Sequence, residues 1–215
     1  MQGCGVGQAS SIQIGCSHLG TARHVCAFFA DDDEAYRVLL PFIAEGFDCG
    51  QKAIHILRPE REAGHCRLLS EIGIDVEAAQ ASGQLDVRSN VDTYLTEGRF
   101  DGSRMVAAFE AMASGKDDYP LSRIVCEMDW ATERPLLFED VIRFEARVND
   151  VWSRHDDVVV CIYDVTKISG DMVIEIMRTH PLVLVGDVPH ENPFYVSPEQ
   201  FLRERAGRTS TPGMP

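Results

Sequence analysis

A chain of 215 residues with 45% hydrophobic and 25% charged side chains can build one sizeable α/β core, and its composition is neither that of a disordered chain nor of a fibre. Its 34 acidic against 20 basic residues leave a net charge of -14, which opposes non-specific attraction to nucleic acid or anionic membrane. It has no basic patch with interleaved aromatics and no run of about 18 apolar residues, and residues 1–20 have neither the positive charge nor the apolar stretch of a secretory signal.

Residues 1–20, rich in Gly, Ser and Gln, read as a flexible leader, 21–205 as a single folded domain and 206–215 as a frayed tail. The domain is organised around residues 24–57. HVCAFF at 24–29 is a short apolar strand, Tyr36, Leu39, Leu40, Ile43 and Phe47 recur at helical spacing, and residues 53–57 turn β-like again. Pro41 falls inside the helix and is expected to kink or interrupt it. Many nucleotide-binding α/β proteins place glycines and a lysine after the first strand to cradle phosphate, whereas this turn reads Ala30, Asp31, Asp32, Asp33, Glu34. Such a run of carboxylates suits a helix N-terminus as caps and repels a triphosphate unless metal ions intervene.

Pro59 can begin a helix that Gly73 stops, and Asp75 can cap a short helix ending at Gly83. Residues 84–88 alternate like a strand, 91–100 form a polar connection anchored by Tyr94 and Phe100, and 103–114 form a helix closed by Gly115. Strands follow at 123–128, 157–163 and 181–185, with helices at 136–152 and 171–179 between them and a proline-punctuated loop into a short terminal helix. Alternating strands and helices imply a mostly parallel sheet covered on both faces, with ligands bound beyond the carboxyl ends of its strands.

Those strand ends supply one group of candidates: Phe29 with Asp31 to Asp33, then Glu127, Asp129 and Trp130, then Tyr163 and Asp164. Brought together, they would line an aromatic pocket for a small, partly apolar ligand; otherwise the rings finish the core and the acids cap helices. Cys16, His18, His24 and Cys26 offer soft ligands at C-x-H-x5-H-x-C spacing, but zinc motifs use wider pairs, and buried cysteine with hydrogen-bonded histidine is the better reading. No G-x-S-x-G elbow is present, Cys161 within VVVCIY reads as a packed small hydrophobe, and no convincing catalytic constellation emerges. His180 before Pro181 reads as a helix end whose imidazole bonds the last carbonyls. Seven cysteines without an export signal fit reduced thiols in a cytoplasmic protein.

Set in order, HVCAFF (24–29), LPFIAEGFDCGQKAIHI (40–56), GIDVEAAQASGQLDV (73–87), YLTEGRFD (94–101), EMDWA (127–131), FEARVN (144–149), CIYD (161–164), THP (179–181) and NPFYVSPEQFL (192–202) resemble the MEDS family of sensory domains. The resemblance implies a three-layer, RecA-like α/β sandwich without a functional phosphate-binding loop, sensing small molecules such as hydrocarbon derivatives for a regulatory output. By motif match it points to His24, Glu127, Trp130, Glu145, Cys161, Tyr163, Asp164 and His180. The leader and tail are too short for a helix-turn-helix or kinase segment, so a separate signalling or transcription-regulatory partner is expected; no cofactor is expected, and a homodimer stays open. A degenerate RecA-like NTPase and a ligand-free interaction module are the rival readings.

Overall fold

A computed structural model describes residues 12–114 and 119–209. The chain begins with a hairpin of β1 (Gln13–Ile14) and β2 (Ser17–His18), then β3 (His24–Phe29), α1 (Asp32–Asp48) and β4 (Lys52–Leu57). A 3-10 turn at Pro59–Arg61, α2 (Glu62–Glu71) and α3 (Val76–Ala81) lead to β5 (Leu85–Ser89), α4 (Asn90–Tyr94), a small hairpin of β6 (Leu95–Thr96) and β7 (Arg99–Phe100), and α5 (Gly102–Ser114). Then come β8 (Ser122–Glu127), a second 3-10 turn at Asp129–Thr132, α6 (Pro135–Trp152), β9 (Val158–Asp164), α7 (Gly170–Thr179), β10 (Leu182–Val185), β11 (Val188–Glu191) and α8 (Pro198–Thr209).

Seven strands form one sheet in the order β11-β10-β3-β9-β8-β4-β5, parallel throughout except for the edge pair β10/β11. From β3 the chain moves outward to β4 and β5, returns through β8 and β9, and crosses β3 to reach β10. The direction of travel thus reverses between β3 and β9, and the carboxyl ends of those strands open a crevice where ligands of doubly wound sheets bind.

Side-chain alternation divides the interior in two. Val25, Ala27, Val125, Val158 and Val160 pack with Val38, Leu39, Phe42 and Ile43 of α1. Cys26, Ile124, Cys126, Val159, Cys161 and Tyr163 point the other way, against Phe109 of α5 and Val141, Phe144 and Val148 of α6. Parallel register places Cys26, Cys161 and Cys126 side by side across β3, β9 and β8. Both faces are buried, which explains near-continuous apolar runs such as VVVCIY.

Several expectations need correcting. Residues 12–20 are not a flexible leader: Ile12, Ile14 and Leu19 are buried in the α1-side core. Their hairpin turns at Gly15, whose φ of 57° favours glycine and whose added Cβ would lie 1.9 Å from the Asp187 carbonyl oxygen. Residues 1–11 lie outside the described residues. The expected tail at 206–215 is helical through Thr209, because α8 docks by the fully buried Phe201, and 210–215 lie outside the described residues. Helix α1 runs unbroken through Pro41, since its buried face against the sheet offsets the roughly 3 kcal/mol that an interior proline costs.

The connection at 91–100 holds a helical turn and the β6/β7 hairpin rather than irregular coil, while Gly115, the expected helix stop, lies outside the described residues. Strand β11 was not legible as a separate element; Gly186, at φ 61°, and Asp187 turn the chain back along the sheet edge. Cys16, Cys26, Cys66, Cys126 and Cys161 are free thiols, whereas Cys49 is disulfide-bonded, contrary to uniformly reduced cysteines. Among the described residues no helix is long and apolar enough to cross a membrane.

Candidate functional site

Two polar regions break the apolar interior, one on each face of the sheet. The first is a cleft at the carboxyl ends of β3, β4, β8 and β9. Its apolar wall includes Phe29, Leu39, Leu57 and Ile162, and its polar wall includes Tyr36, Arg61, His65, Glu127, Asp129 and Asp164. The cavity measures about 30 Å³ to the centre of a water molecule, so anything larger than a few waters must part these side chains.

The acidic turn beside the cleft is occupied in capping α1. Asp31 Oδ1 accepts from the Glu34 N–H at 2.8 Å, and Glu34 Oε2 accepts from the Ala30 N–H at 2.8 Å, a variant of the capping box in which Glu34 reaches one residue past the N-cap. Arg61 spans the cleft, with guanidinium nitrogens 2.7 Å from both Asp32 Oδ1 and Glu127 Oε1. Glu127 also accepts the Arg58 N–H at 2.8 Å. Burial nonetheless leaves its carboxyl above the usual range, only partly opposed by that N–H and by Arg61 and Arg58. Asp129 accepts the Asp164 N–H at 2.8 Å, and Lys167 Nζ lies 3.4 Å from Asp129 and 2.8 Å from Asp164. Burial would raise Asp164, but Lys167 and Thr166 outweigh it and hold its carboxyl low.

A histidine pair lies at the back of the same cleft. His55 Nδ1 is 2.7 Å from His65 Nε2, and Tyr36 Oη is 3.1 Å from His65 Nδ1. Burial, then the Arg61 charge, pushes His65 down to about 4, and burial with the neighbouring His65 depresses His55 well below its ordinary value. The pair is neutral around pH 7, sharing one proton across each contact.

The second region lies under α6, where His24, Glu145, Cys161 and His180 are 3% exposed or less. Glu145 Oε2 is 3.2 Å from His24 Nε2 and 3.5 Å from His180 Nε2. Cys161 Sγ is 3.5 Å from His24 Nε2 and 3.9 Å from Glu145 Oε2. The donor atoms of all four residues fall within 4.8 Å of one another, close enough to share one ion. Burial, then His24, depresses His180 well below its ordinary value, and burial, then Cys126, raises the Cys161 thiol well above its own.

Both imidazoles are oriented from behind. His180 Nδ1 is 2.8 Å from the Ile176 carbonyl oxygen, an acceptor, so Nδ1 carries the proton and Nε2 is bare. This is the helix-end bond expected from the sequence. Asn149 Nδ2 faces the carbonyl oxygens of Glu145, Ala146 and Thr179 at 2.9, 3.2 and 2.7 Å. The opposite amide orientation would set oxygen against oxygen three times, so Oδ1 is the atom 3.1 Å from His24 Nδ1 and accepts its proton. His24 thus turns its Nε2 towards Glu145 and Cys161.

The residues singled out from sequence thus divide between two places. Phe29, Glu127 and Asp164 border the strand-end cleft, while His24, Glu145, Cys161 and His180 meet beneath α6. Tyr163 lies on the strand between them, bordering the cleft while its ring packs on Phe28 and His180 at 5.8 and 6.3 Å. Trp130 is at neither: its indole sits on Tyr94 and Phe100, 4.8 and 6.1 Å between centroids, so no single aromatic pocket unites the group. Successive strand residues point to opposite faces, which separates neighbours such as Cys161 and Ile162. Of the weighed quartet Cys16, His18, His24 and Cys26, the first two are exposed and Cys26 Sγ bonds the Leu182 carbonyl at 3.5 Å. Sequence reasoning missed Tyr36, Arg61 and His65 in the cleft and Asn149 beneath α6. The i, i+4 spacing of Glu145 and Asn149 was an available signal, since it puts both on one helix face.

The MEDS family model, described as MEthanogen/methylotroph, DcmR Sensory domain, matches residues 23–181. Among solved structures, the KaiC-like protein PH0186 of Pyrococcus horikoshii OT3 superposes with a TM-score of 0.54 at 11% identity, over 75% of this chain and 69% of that one. The uncharacterized protein PH0321 of Pyrococcus horikoshii, solved in complex with an unknown peptide, gives 0.56 at 11% identity, over 75% and 76%. At that identity the likeness speaks for the fold, the RecA-like frame of KaiC-like proteins, and for nothing further. Among curated proteins nothing matches the chain.

Proposed function

Because the chain belongs to the MEDS family of sensory domains, we propose that it is a regulatory module whose strand-end cleft takes a small, partly apolar ligand and whose response passes to a separate signalling protein. The observation that carries this reading is the cleft's place and make-up: it opens where the chain reverses direction between β3 and β9, with Phe29, Leu57 and Ile162 facing Arg61, His65 and Glu127. A ligand with an apolar body and one polar group fits such a wall, and the small resting cavity favours compounds of a few heavy atoms.

The capping box on α1 argues against a triphosphate, because the N–H groups that would cradle phosphate are taken by Asp31 and Glu34 side chains. Signalling follows from the need to part the cleft. Arg61 ties the turn before α2 to α1 through Asp32 and to β8 through Glu127, so a ligand displacing Arg61 shifts these elements together.

Thermal unfolding with a panel of short alcohols, amines and halogenated hydrocarbons, and with ATP and magnesium, tests the reading. A panel hydrocarbon derivative is expected to raise Tm in the wild type and to lose that effect in Tyr36→Ala and Arg61→Met. Stabilisation by ATP alone, no shift from any panel member, or a shift that persists in both variants would each overturn the cleft assignment.

A further inference from the structure

The four residues beneath α6 pose a donor and acceptor problem that the sensing cleft does not. The Nε2 atoms of both imidazoles converge on a carboxylate oxygen of Glu145, with the Cys161 thiol beside them as a weak donor. A proton added to His24 would satisfy the 3.2 Å contact with Glu145, but His180 Nε2, fully buried, would still have no hydrogen-bond partner. Leaving a buried carboxylate and an orphaned imidazole together is costly, and one divalent cation would resolve both.

We propose that His24, Glu145, Cys161 and His180 form a closed, four-ligand site for a transition-metal ion of the zinc class. Metal–ligand distances of tetrahedral zinc place neighbouring donor atoms roughly 3.3–3.7 Å apart. Two contacts here, both 3.5 Å, fall within that spacing, those of 3.2 and 3.9 Å lie just either side of it, and the remaining pairs stay within 4.8 Å. The thiolate and imidazoles select against magnesium and calcium, which prefer oxygen ligands. On binding, the Cys161 S–H bond breaks as the metal–sulfur bond forms and the proton leaves to solvent, with no change of oxidation state. The dication, thiolate and Glu145 carboxylate then sum to zero, the least costly charge for a site this deeply buried.

The surroundings are those of a metal centre one step out. Each histidine offers Nε2 inward and fixes its tautomer through Nδ1, His180 on the Ile176 carbonyl and His24 on Asn149. The ligands come from β3, α6, β9 and the end of α7, so one ion would tie the central strands to the helices covering them. Four protein ligands leave no open position for substrate, as in structural rather than catalytic zinc sites. The site stands apart from the cleft and does not depend on the sensing role proposed for it.

The test is metal content and ligand identity. Protein expressed in zinc-supplemented medium is expected to hold about one zinc per chain by elemental mass spectrometry, to keep it through native dialysis against EDTA, and to lose it on unfolding with EDTA. Refolding with Zn²⁺ is expected to raise Tm by roughly 10 °C over the metal-free protein. Refolding with Co²⁺ is expected to give a thiolate-to-cobalt absorption that disappears in Cys161→Ser. X-ray absorption of zinc-bound wild type is expected to count one sulfur and three nitrogen or oxygen neighbours, and decides the matter if the variant does not fold. Folded wild type that carries no zinc as purified and takes up neither metal on refolding overturns the proposal, as does a bound metal without a sulfur neighbour or one that persists unchanged in Cys161→Ser.

Discussion

The strand-end cleft and the cluster beneath α6 hold similar residue types yet differ in how their charges are met. In the cleft, Glu127 meets the Arg61 guanidinium and a backbone N–H, and Asp129 meets Lys167 and another backbone N–H. Beneath α6, Glu145 faces the Nε2 atoms of His24 and His180, and His180 spends its proton on the Ile176 carbonyl through Nδ1. The charges of the cleft are therefore met within it, whereas the cluster leaves His180 Nε2 without a partner, the gap that the proposed cation would fill. Counting donors against acceptors separates the two; counting titratable residues would not.

The largest expected effect tests whether the cluster is held by its polar backing. Asn149→Leu keeps the side-chain size but removes the acceptor for His24 Nδ1 and the donor to the Thr179 carbonyl. Both partners are buried, so the loss should be about 3–5 kcal/mol in chemical denaturation. A loss below ~1 kcal/mol would mean that packing alone positions His24.

Next is a pH dependence that belongs to the cleft. His65 is held at about 4 in the folded protein against 6.5 for a free imidazole, so between those values the unfolded chain binds a proton that the folded chain refuses. Its contribution is present in full above pH 6.5, falls as pH drops towards 4, and amounts to about 3 kcal/mol. Carboxylates titrate in the lower part of that window, so the measure is the difference between wild type and His65→Gln, whose stability should decline less from pH 6.5 to 4.5. Identical slopes would place the neutral histidine elsewhere.

The sheet was legible because its strands are buried on both faces and its helices carry apolar stripes, and both patterns depend only on local sequence. Helix starts were legible for the same reason, as Asp75 accepting from the Ala78 N–H illustrates. The hairpin at residues 13–18 is not legible because Ile12, Ile14 and Leu19 are too few and too spread among small residues to announce a strand, and their burial depends on α1 and the β10/β11 turn. The site residues were legible individually but not as groups. His24 and His180 are 156 positions apart and meet through the β10/β3 pairing and α6, whereas Cys161 and Ile162, adjacent in sequence, pack on opposite sides of the sheet. Arg61 escaped notice because its partners, Asp32 and Glu127, lie on two other elements.

The smallest expected effect concerns the acidic turn beside the cleft. Asp31→Ala removes the acceptor for the Glu34 N–H and so half of the capping box, which should cost about 1 kcal/mol in urea denaturation. Asp33→Ala, on the same turn, exposed and outside that box, should stay within ~0.5 kcal/mol of wild type. The ratio of these two losses matters more than either, because it separates a specific cap from a general attraction between carboxylates and the helix dipole. Equal losses would favour the dipole, and with it the idea that the turn is only a charged surface. If Asp31→Ala instead left stability untouched but altered a ligand's effect on Tm, the turn would belong to the cleft's recognition surface, and capping would no longer account for the carboxylates after the first strand.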